Sequence, residues 1–363
     1  MSNKKGVYIH IPFCKTICSY CDFCKTFYNE RWVKKYLLKL KDEIEDIYMN
    51  EEIDTIYIGG GTPSVLNPKR LEELFLIIKL FNTPHLKEFT FECNLNDLSK
   101  ELLEFLKQNG VNRLSIGVQS FNSEKLKYMG RNHDFIIAKE KINLCRQMGF
   151  SNINIDFIYG FSCEDVKIMK KDLYQILKLK PDHISTYSLI IEDNTLLKIK
   201  DYKRIDEDLD ADMYEEIKNI LKKKHYNHYE ISNFALKGKE SIHNLKYWHN
   251  EEYYGFGLSA SGYVDKIRYT NTLSLTKYLN GEISSKKEIL SMKDIMDNHV
   301  MLGLRLTKGI NIEEFFQIFK VKLENVYPIK PLIKNNDLIV KKGNIFINPD
   351  KLYIMNEILL KMI

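Results

Sequence analysis

Val7-Tyr-Ile-His-Ile-Pro-Phe-Cys14-Lys-Thr-Ile-Cys18-Ser-Tyr-Cys21-Asp-Phe-Cys24 joins a short apolar run to four cysteines within eleven residues. The run reads as a first β-strand, and the cysteines follow it directly. Cys14, Cys18 and Cys21 fall within eight residues. Three thiolates so spaced can wrap one face of an iron–sulfur cubane and leave one iron open to a small molecule. Zinc is the metal alternative, but it favours four ligands, commonly from paired Cys-x2-Cys units, and no second pair occurs downstream. The remaining cysteines, Cys93, Cys145 and Cys163, are isolated. A disulfide framework would spread its cysteines along the chain, so the clustering points to a metal site in a reducing compartment, the cytoplasm.

Outward from this stretch, β-rich runs alternate with amphipathic segments up to about residue 190. The strand candidates are Val7–Ile11, Thr55–Ile58, Glu88–Cys93, Arg113–Val118, Asn152–Tyr159 and His183–Ile190. Helical patterns lie between them, over Arg31–Tyr48, Lys69–Phe81, Ser99–Gln108, Phe135–Met148 and Glu164–Leu179. Strands separated by helices imply a parallel sheet, because parallel neighbours need crossover connections. Six units are fewer than the eight of a closed barrel. The expected fold is therefore α/β, a partial TIM-like (β/α)6 barrel. Gly110 and Gly149 follow two of the helical patterns as stop signals.

After residue 200 the alternation ceases. Residues 201–285 read as an extension, helical over 205–225 and rich in Tyr, Asn and Gly over 226–270. Residues 286–363 read as a smaller C-terminal α+β domain of winged-helix-like order, with Lys341-Lys-Gly-Asn344 as the turn of a strand pair. The 54 basic and 49 acidic residues leave a net charge of only +5, spread along the chain, which disfavours a nucleic-acid partner. Phe75-Leu-Ile-Ile78 is broken by Lys79, far short of the roughly 20 apolar residues of a membrane span. The Val7–Ile11 run is likewise too short for the apolar part of a signal peptide.

Cys-x3-Cys-x2-Cys just after a first strand, with aromatic Tyr20 before the third cysteine, resembles the signature of the radical S-adenosylmethionine (SAM) superfamily. The resemblance narrows with Tyr8-Ile-His-Ile-Pro-Phe-Cys14, Gly59-Gly-Gly-Thr-Pro-Ser64 and Arg113-Leu-Ser-Ile-Gly-Val-Gln-Ser-Phe121. Asn154-Ile-Asp-Phe-Ile-Tyr-Gly160 and His243-Asn-Leu-Lys-Tyr-Trp248 extend it. Together these motifs, from residue 8 to about 260, are similar to the oxygen-independent coproporphyrinogen III oxidase family. The resemblance implies a [4Fe–4S] cluster on Cys14, Cys18 and Cys21. It also implies that SAM sits on the open iron, where the reduced cluster cleaves it to a 5′-deoxyadenosyl radical. Tyr8, Gly60, Gly61, Thr62, Glu92, Gln119, Arg131 and Asp156 would line the SAM site, with Ile190 as a further adenine-side contact.

Physical chemistry runs alongside this transfer. Glycines after a strand let backbone approach a ligand closely, and ligand sites of parallel β/α folds lie at the strands' C-terminal ends. Glu92, Gln119 and Asp156 lie at or toward those ends, and Arg131 follows a short helix. Each alone would be a surface or capping residue more often than a ligand; their shared end makes them a site. His10, beside the strand leading into the cluster, is expected to hydrogen-bond rather than ligate iron.

Two functions from different classes fit the family. One is a heme chaperone that binds heme and passes it to acceptor proteins. The other is an enzyme that oxidatively decarboxylates two propionates of coproporphyrinogen III, or a radical SAM enzyme acting elsewhere on the same scaffold. The oxidase branch carries a fourth cysteine two residues after the third, where this chain has Phe23. It also carries a longer extension before the cluster, whereas thirteen residues precede Cys14 here. Both features favour the chaperone branch, and Cys24 reads as a bystander. A histidine beside Tyr and Trp is usually a packed residue, yet histidine is also a common axial ligand of heme. In the chaperone branch this histidine is implicated in heme binding, which makes His243 the candidate heme ligand. The histidine of the relatives' Gly-Ala-Gly-Ala-His-Gly-like loop is Ser261 here. Expected partners are SAM, heme and heme acceptors, with peripheral membrane association only through an acceptor. The chain is expected to act as a monomer or a cluster-linked dimer.

Overall fold

A computed structural model describes residues 4–362, apart from the side chain of Ser285. The strands, in chain order, are β1 (Lys5–Ile11), β2 (Phe13–Cys14), β3 (Thr26–Phe27), β4 (Ile53–Gly60), β5 (Glu88–Asn94), β6 (Arg113–Gln119), β7 (Ile153–Tyr159) and β8 (His183–Ser188). They continue as β9 (Asn227–Glu230), β10 (Asn233–Ala235), β11 (Tyr253–Phe256), β12 (Ser261–Val264), β13 (Ile267–Asn271) and β14 (Ser284–Ile289). The last three are β15 (Ile310–Asn311), β16 (Leu338–Lys341) and β17 (Asn344–Ile347).

Strands β1 and β4 to β8 form the six parallel staves of the partial barrel, in sequence order. Both faces of each stave are covered, so the strands read as near-continuous buried runs. Val7, Ile9, Ile56, Ile58, Phe89, Phe91, Leu114 and Ile116 join the core with helix residues such as Leu37, Leu74 and Leu103. The crossover helices Glu30–Ile47, Pro68–Ile78, Lys100–Gln108, Phe135–Gln147 and Val166–Lys178 each begin at a side-chain cap: Asn29, Asn67, Ser99, Asp134 and Asp165.

The segment after residue 200 contributes strands to both edges of this sheet. β11 pairs parallel to β1, followed by antiparallel β12, β13 and β14, while β10 and β9 extend the sheet beyond β8. Between these additions, helix Ile242–Trp248 closes the barrel floor at the strands' N-terminal ends. Glu88, the first residue of β5, caps it by accepting from the amides of Ile242 and His243 at 2.8 and 3.1 Å. Lys246 of the same helix pairs with Asp54 at 2.9 Å. Beyond β14, helices Met292–Gly303, Ile312–Phe319 and Ile329–Lys334 accompany the three-stranded sheet β15-β17-β16, a winged-helix-like arrangement.

Candidate functional site

The open, C-terminal end of the barrel holds a cavity of about 580 Å³. Cys14, Cys18 and Cys21 form part of its wall, together with Gly60, Gly61, Thr62, Glu92, Gln119, Arg131, Asp156 and Ile190. Cys14 ends the short strand that follows β1; Cys18 and Cys21 lie in a turn closed by the Cys21 amide donating to the Cys18 carbonyl at 3.3 Å. Burial raises the Cys14 thiol and pushes Cys21 up to about 11, so without a metal to stabilise the thiolates both stay protonated. Among the described residues, no three His, Cys, Asp or Glu side chains converge on a single ion. A cubane would take each of the three thiolates on a different iron.

The cluster loop is tied down from two sides. Tyr20 is half-buried, and its hydroxyl accepts from Arg131 Nη2 at 3.1 Å while Arg131 Nη1 donates to the Gly117 carbonyl at 2.7 Å. On the other side, His10 Nε2 lies 2.8 Å from the Cys24 carbonyl and must donate to it. Burial holds this imidazole at about 4, hence neutral, so Nδ1 carries a lone pair that accepts from Tyr8 Oη at 2.9 Å. His10 thus acts by hydrogen bonding, as its sequence position suggested. Tyr8 stands behind the cavity wall, its ring 6.0 Å from that of Tyr57.

The glycine triplet is required by close approach. A Cβ on Gly59 would lie 2.7 Å from the Glu92 carboxyl, and one on Gly61 would lie 2.8 Å from the Pro12 backbone and 3.0 Å from Cys14 Sγ. Gly60 has φ +114° and would drive a Cβ to 2.6 Å from the His10 ring. Its amide donates to Glu92 at 3.0 Å, and Tyr57 donates to the same carboxyl at 2.8 Å. Gln119 holds φ +73°, a conformation uncommon outside glycine, where the β6–β7 register slips. Its Oε1 and the buried Nε of Arg113 find no hydrogen-bond partner among the described residues. These are orphaned polar atoms on the cavity wall, the kind a bound polar ligand satisfies.

Sequence reading passed over Arg113, Tyr57 and Asn154, which also line the cavity. Asn154 donates to Asp156 Oδ1 at 2.8 Å, and His183 Nδ1 sits 2.7 Å from Asn154 Oδ1. An arginine, an asparagine and a histidine inside otherwise apolar strands were the available signal for a polar lumen.

His243 lies elsewhere. It is on the floor helix, 0% exposed, with Nδ1 2.9 Å from Thr55 Oγ1 and Nε2 2.7 Å from Tyr247 Oη. Burial lowers it to about 3. Both nitrogens are engaged, so in this arrangement the ring offers no open position to an iron. Ser261 is on β12, bonded to Thr270 Oγ1 at 2.9 Å, and does not line this cavity.

Burial also pushes the Glu92 carboxyl up to about 7, with Asp156 adding to the rise. Its ordinary value is near 4.3, so between those pH values the folded chain keeps a proton that the unfolded chain releases. This contribution to stability is present in acid and lost as pH rises through about 7. Glu92→Gln in the metal-free protein is therefore expected to gain stability relative to wild type between pH 5 and 8, read from urea midpoints. A constant difference across that range would contradict the assignment.

Comparisons with known proteins agree with this geometry. The model of the radical SAM superfamily matches residues 8–173. The heme chaperone HemW of Lactococcus lactis is 42% identical, covering 90% of this chain and 88% of that protein. The heme chaperone HemW of Bacillus subtilis is 34% identical over 97% of this chain and 96% of its own length. Among solved structures, coproporphyrinogen III oxidase (HemN) from Escherichia coli, described as a radical SAM enzyme, superposes with a TM-score of 0.88. At 21% identity, and covering 99% of this chain and 90% of that one, it speaks for the fold alone. Cysteine loop, glycine cradle and barrel together with these relatives place the chain: it belongs to the HemW family of the radical SAM superfamily.

Proposed function

We propose that this chain is a heme chaperone, which binds heme and hands it to acceptor proteins, built on a radical SAM scaffold. The observation that carries the reading is the match along 90% of the chain to a relative named as a heme chaperone. Phe23 at the place of the oxidase branch's extra cysteine supports the same choice.

Cys14, Cys18 and Cys21 would hold the [4Fe–4S] cluster. Gly60, Gly61, Thr62, Glu92, Gln119, Arg131 and Asp156 would receive SAM, with Ile190 at the exposed rim. Bound there, cluster and cofactor supply one-electron reductive chemistry at the sulfonium. The chain's own residues give this site its shape. Arg131 and Tyr20 fix the cluster loop to β6, neutral His10 holds the Cys24 carbonyl, and the glycines leave room beside Cys14. We place this chaperone in the cytoplasm, as a monomer or cluster-linked dimer that serves heme-accepting proteins. Among the described residues, no helix is long and apolar enough to cross a membrane.

The enzymatic alternative rests on the fold shared with coproporphyrinogen III oxidase. Reconstituted protein supplied anaerobically with SAM, dithionite and coproporphyrinogen III separates the two. The chaperone reading expects no vinyl product by chromatography and mass spectrometry. Stoichiometric or catalytic conversion of propionate to vinyl would replace it with the oxidase.

A further inference from the structure

Asn154 of β7 and His183 of β8 stand opposite each other in the parallel ladder, and Asp156 and Ser185 form the pair two residues nearer the open end. Asn154, Asp156 and Ser185 line the cavity, whereas His183 lies behind its wall and is fully buried. A buried imidazole is costly unless its nitrogens find partners. Both do: Nδ1 lies 2.7 Å from Asn154 Oδ1, and Nε2 lies 2.8 Å from Tyr229 Oη on β9.

The chemistry of the partners fixes the direction of every bond in this row. A carboxylate oxygen accepts, so the group 2.8 Å from Asp156 Oδ1 is the Asn154 amide nitrogen, which also donates to Ser115 Oγ at 2.8 Å. Asn154 Oδ1 therefore points the other way, where Ser185 Oγ donates to it at 3.1 Å. An amide oxygen only accepts, so the His183 proton sits on Nδ1. Burial beside the Arg113 cation keeps the imidazole neutral, which leaves Nε2 to accept from the Tyr229 hydroxyl. Tyr229 Oη accepts in turn from the amide of Ser241, the cap of the floor helix, at 3.3 Å. A single file of oriented bonds thus runs from the floor helix to a carboxylate on the cavity wall.

We propose that His183 is a positioning residue for the SAM site: its Nδ1–H anchors the Asn154 amide, and that amide aims the Asp156 carboxylate at the cofactor. The inference rests on the reading that Asp156 receives SAM, and deepens it. The two ends of an asparagine amide have nearly the same shape, so its orientation is chosen by its partners. Ser115 and Ser185 carry hydroxyls that suit either orientation. Asp156 and His183 discriminate, and they agree. Turned by half a rotation, Asn154 would set its oxygen against the carboxylate and its amino group against Nδ1–H. With His183 in place, Asp156 meets a donor already ordered from behind, so less of the binding free energy goes into arranging the wall. Tyr229 contributes by selecting the tautomer, since its hydroxyl needs a lone pair on Nε2.

The test is anaerobic calorimetric titration of SAM into the cluster-reconstituted full chain. His183→Phe keeps an aromatic ring without its nitrogens and should raise Kd on the order of tenfold, with iron and sulfide content unchanged. His183→Asn, whose amide returns a donor near the Nδ1 position, should recover part of that loss. Adding His183→Phe to Asn154→Ala should weaken binding no further, because His183 acts through Asn154. In the metal-free chain, imidazole nitrogen chemical shifts should report the Nδ1–H tautomer at His183, and Tyr229→Phe should mix the two tautomers and weaken SAM binding. That milder variant keeps the test decisive if His183→Phe does not fold. Wild-type affinity in His183→Phe, additive losses in the double variant, or an Nε2–H tautomer in the wild type would overturn the proposal. Wild-type affinity in Asp156→Ala would show a different failure: Asp156 would then not contact SAM, and the proposal would fall with that reading.

Discussion

Replacing Cys14, Cys18 or Cys21 by alanine, one at a time, is expected to abolish the broad visible absorbance that anaerobic reconstitution confers, with iron and sulfide falling to background. Each thiolate takes a different iron of the cubane, so two cannot stand in for three. Cys14 is the most constrained. Its sulfur is buried beside Gly61 and lies 3.5 Å from Thr62 Oγ1. Cys24→Ala is expected to keep a full cluster, because Cys24 does not line the barrel cavity that Cys14, Cys18 and Cys21 share. Full iron and sulfide in any of the three variants, or loss of both in Cys24→Ala, would refute the ligand set.

The second large effect is on stability. Lys125 is 0% exposed and bonds to Glu164 at 2.8 Å and Asp172 at 3.1 Å, with the Phe157 ring centroid 4.9 Å away. Asp172 also accepts from the Phe121 amide at 2.6 Å, and Glu164 from the Gly160 amide at 2.9 Å. One ammonium thereby fixes the turns that leave β6 and β7, next to Gln119. Lys125→Met keeps the volume but leaves two buried carboxylates without their cation, at a cost of about 3–5 kcal/mol. Burial already raises the Glu164 carboxyl and Lys125 opposes that rise, so without the lysine the defect is fully present at high pH and shrinks as pH falls and Glu164 protonates. Chemical denaturation of wild type and variant at pH 5.5 and 8 measures this. A variant within about 1 kcal/mol of wild type at pH 8 would show that the network contributes little.

Much of the barrel was legible because its strands are continuous apolar runs between turn signals. Observed boundaries lie within three residues of those read, many coinciding, while β8 stops at Ser188 rather than Ile190. The cluster loop and the glycine triplet were legible for a different reason: their chemistry is written in consecutive residues. What stayed hidden depends on distant partners. His243 sits beside Tyr and Trp in sequence, which reads as a cofactor box. Its burial comes from Thr55 and from Glu88, which caps its helix from a strand far earlier in the chain. Tyr8 likewise reads by motif as a ligand contact, but it stands behind the cavity wall with its hydroxyl donated to His10. Lys125 sits in a short polar helix, Ser123–Met129, and nothing local reveals that it points inward. The strands of residues 227–289 were missed because they are short and interrupted by turns with positive φ at Asn250, Ser259, Asp265 and Lys266.

The most direct test of the central claim is a hemin titration of the reconstituted wild-type protein, monitored at the Soret band under anaerobic conditions. The account predicts saturation near one equivalent of heme per chain, with no vinyl product from coproporphyrinogen III under the same reducing conditions. Non-saturating, non-stoichiometric uptake of hemin, alongside turnover of coproporphyrinogen III, would contradict it.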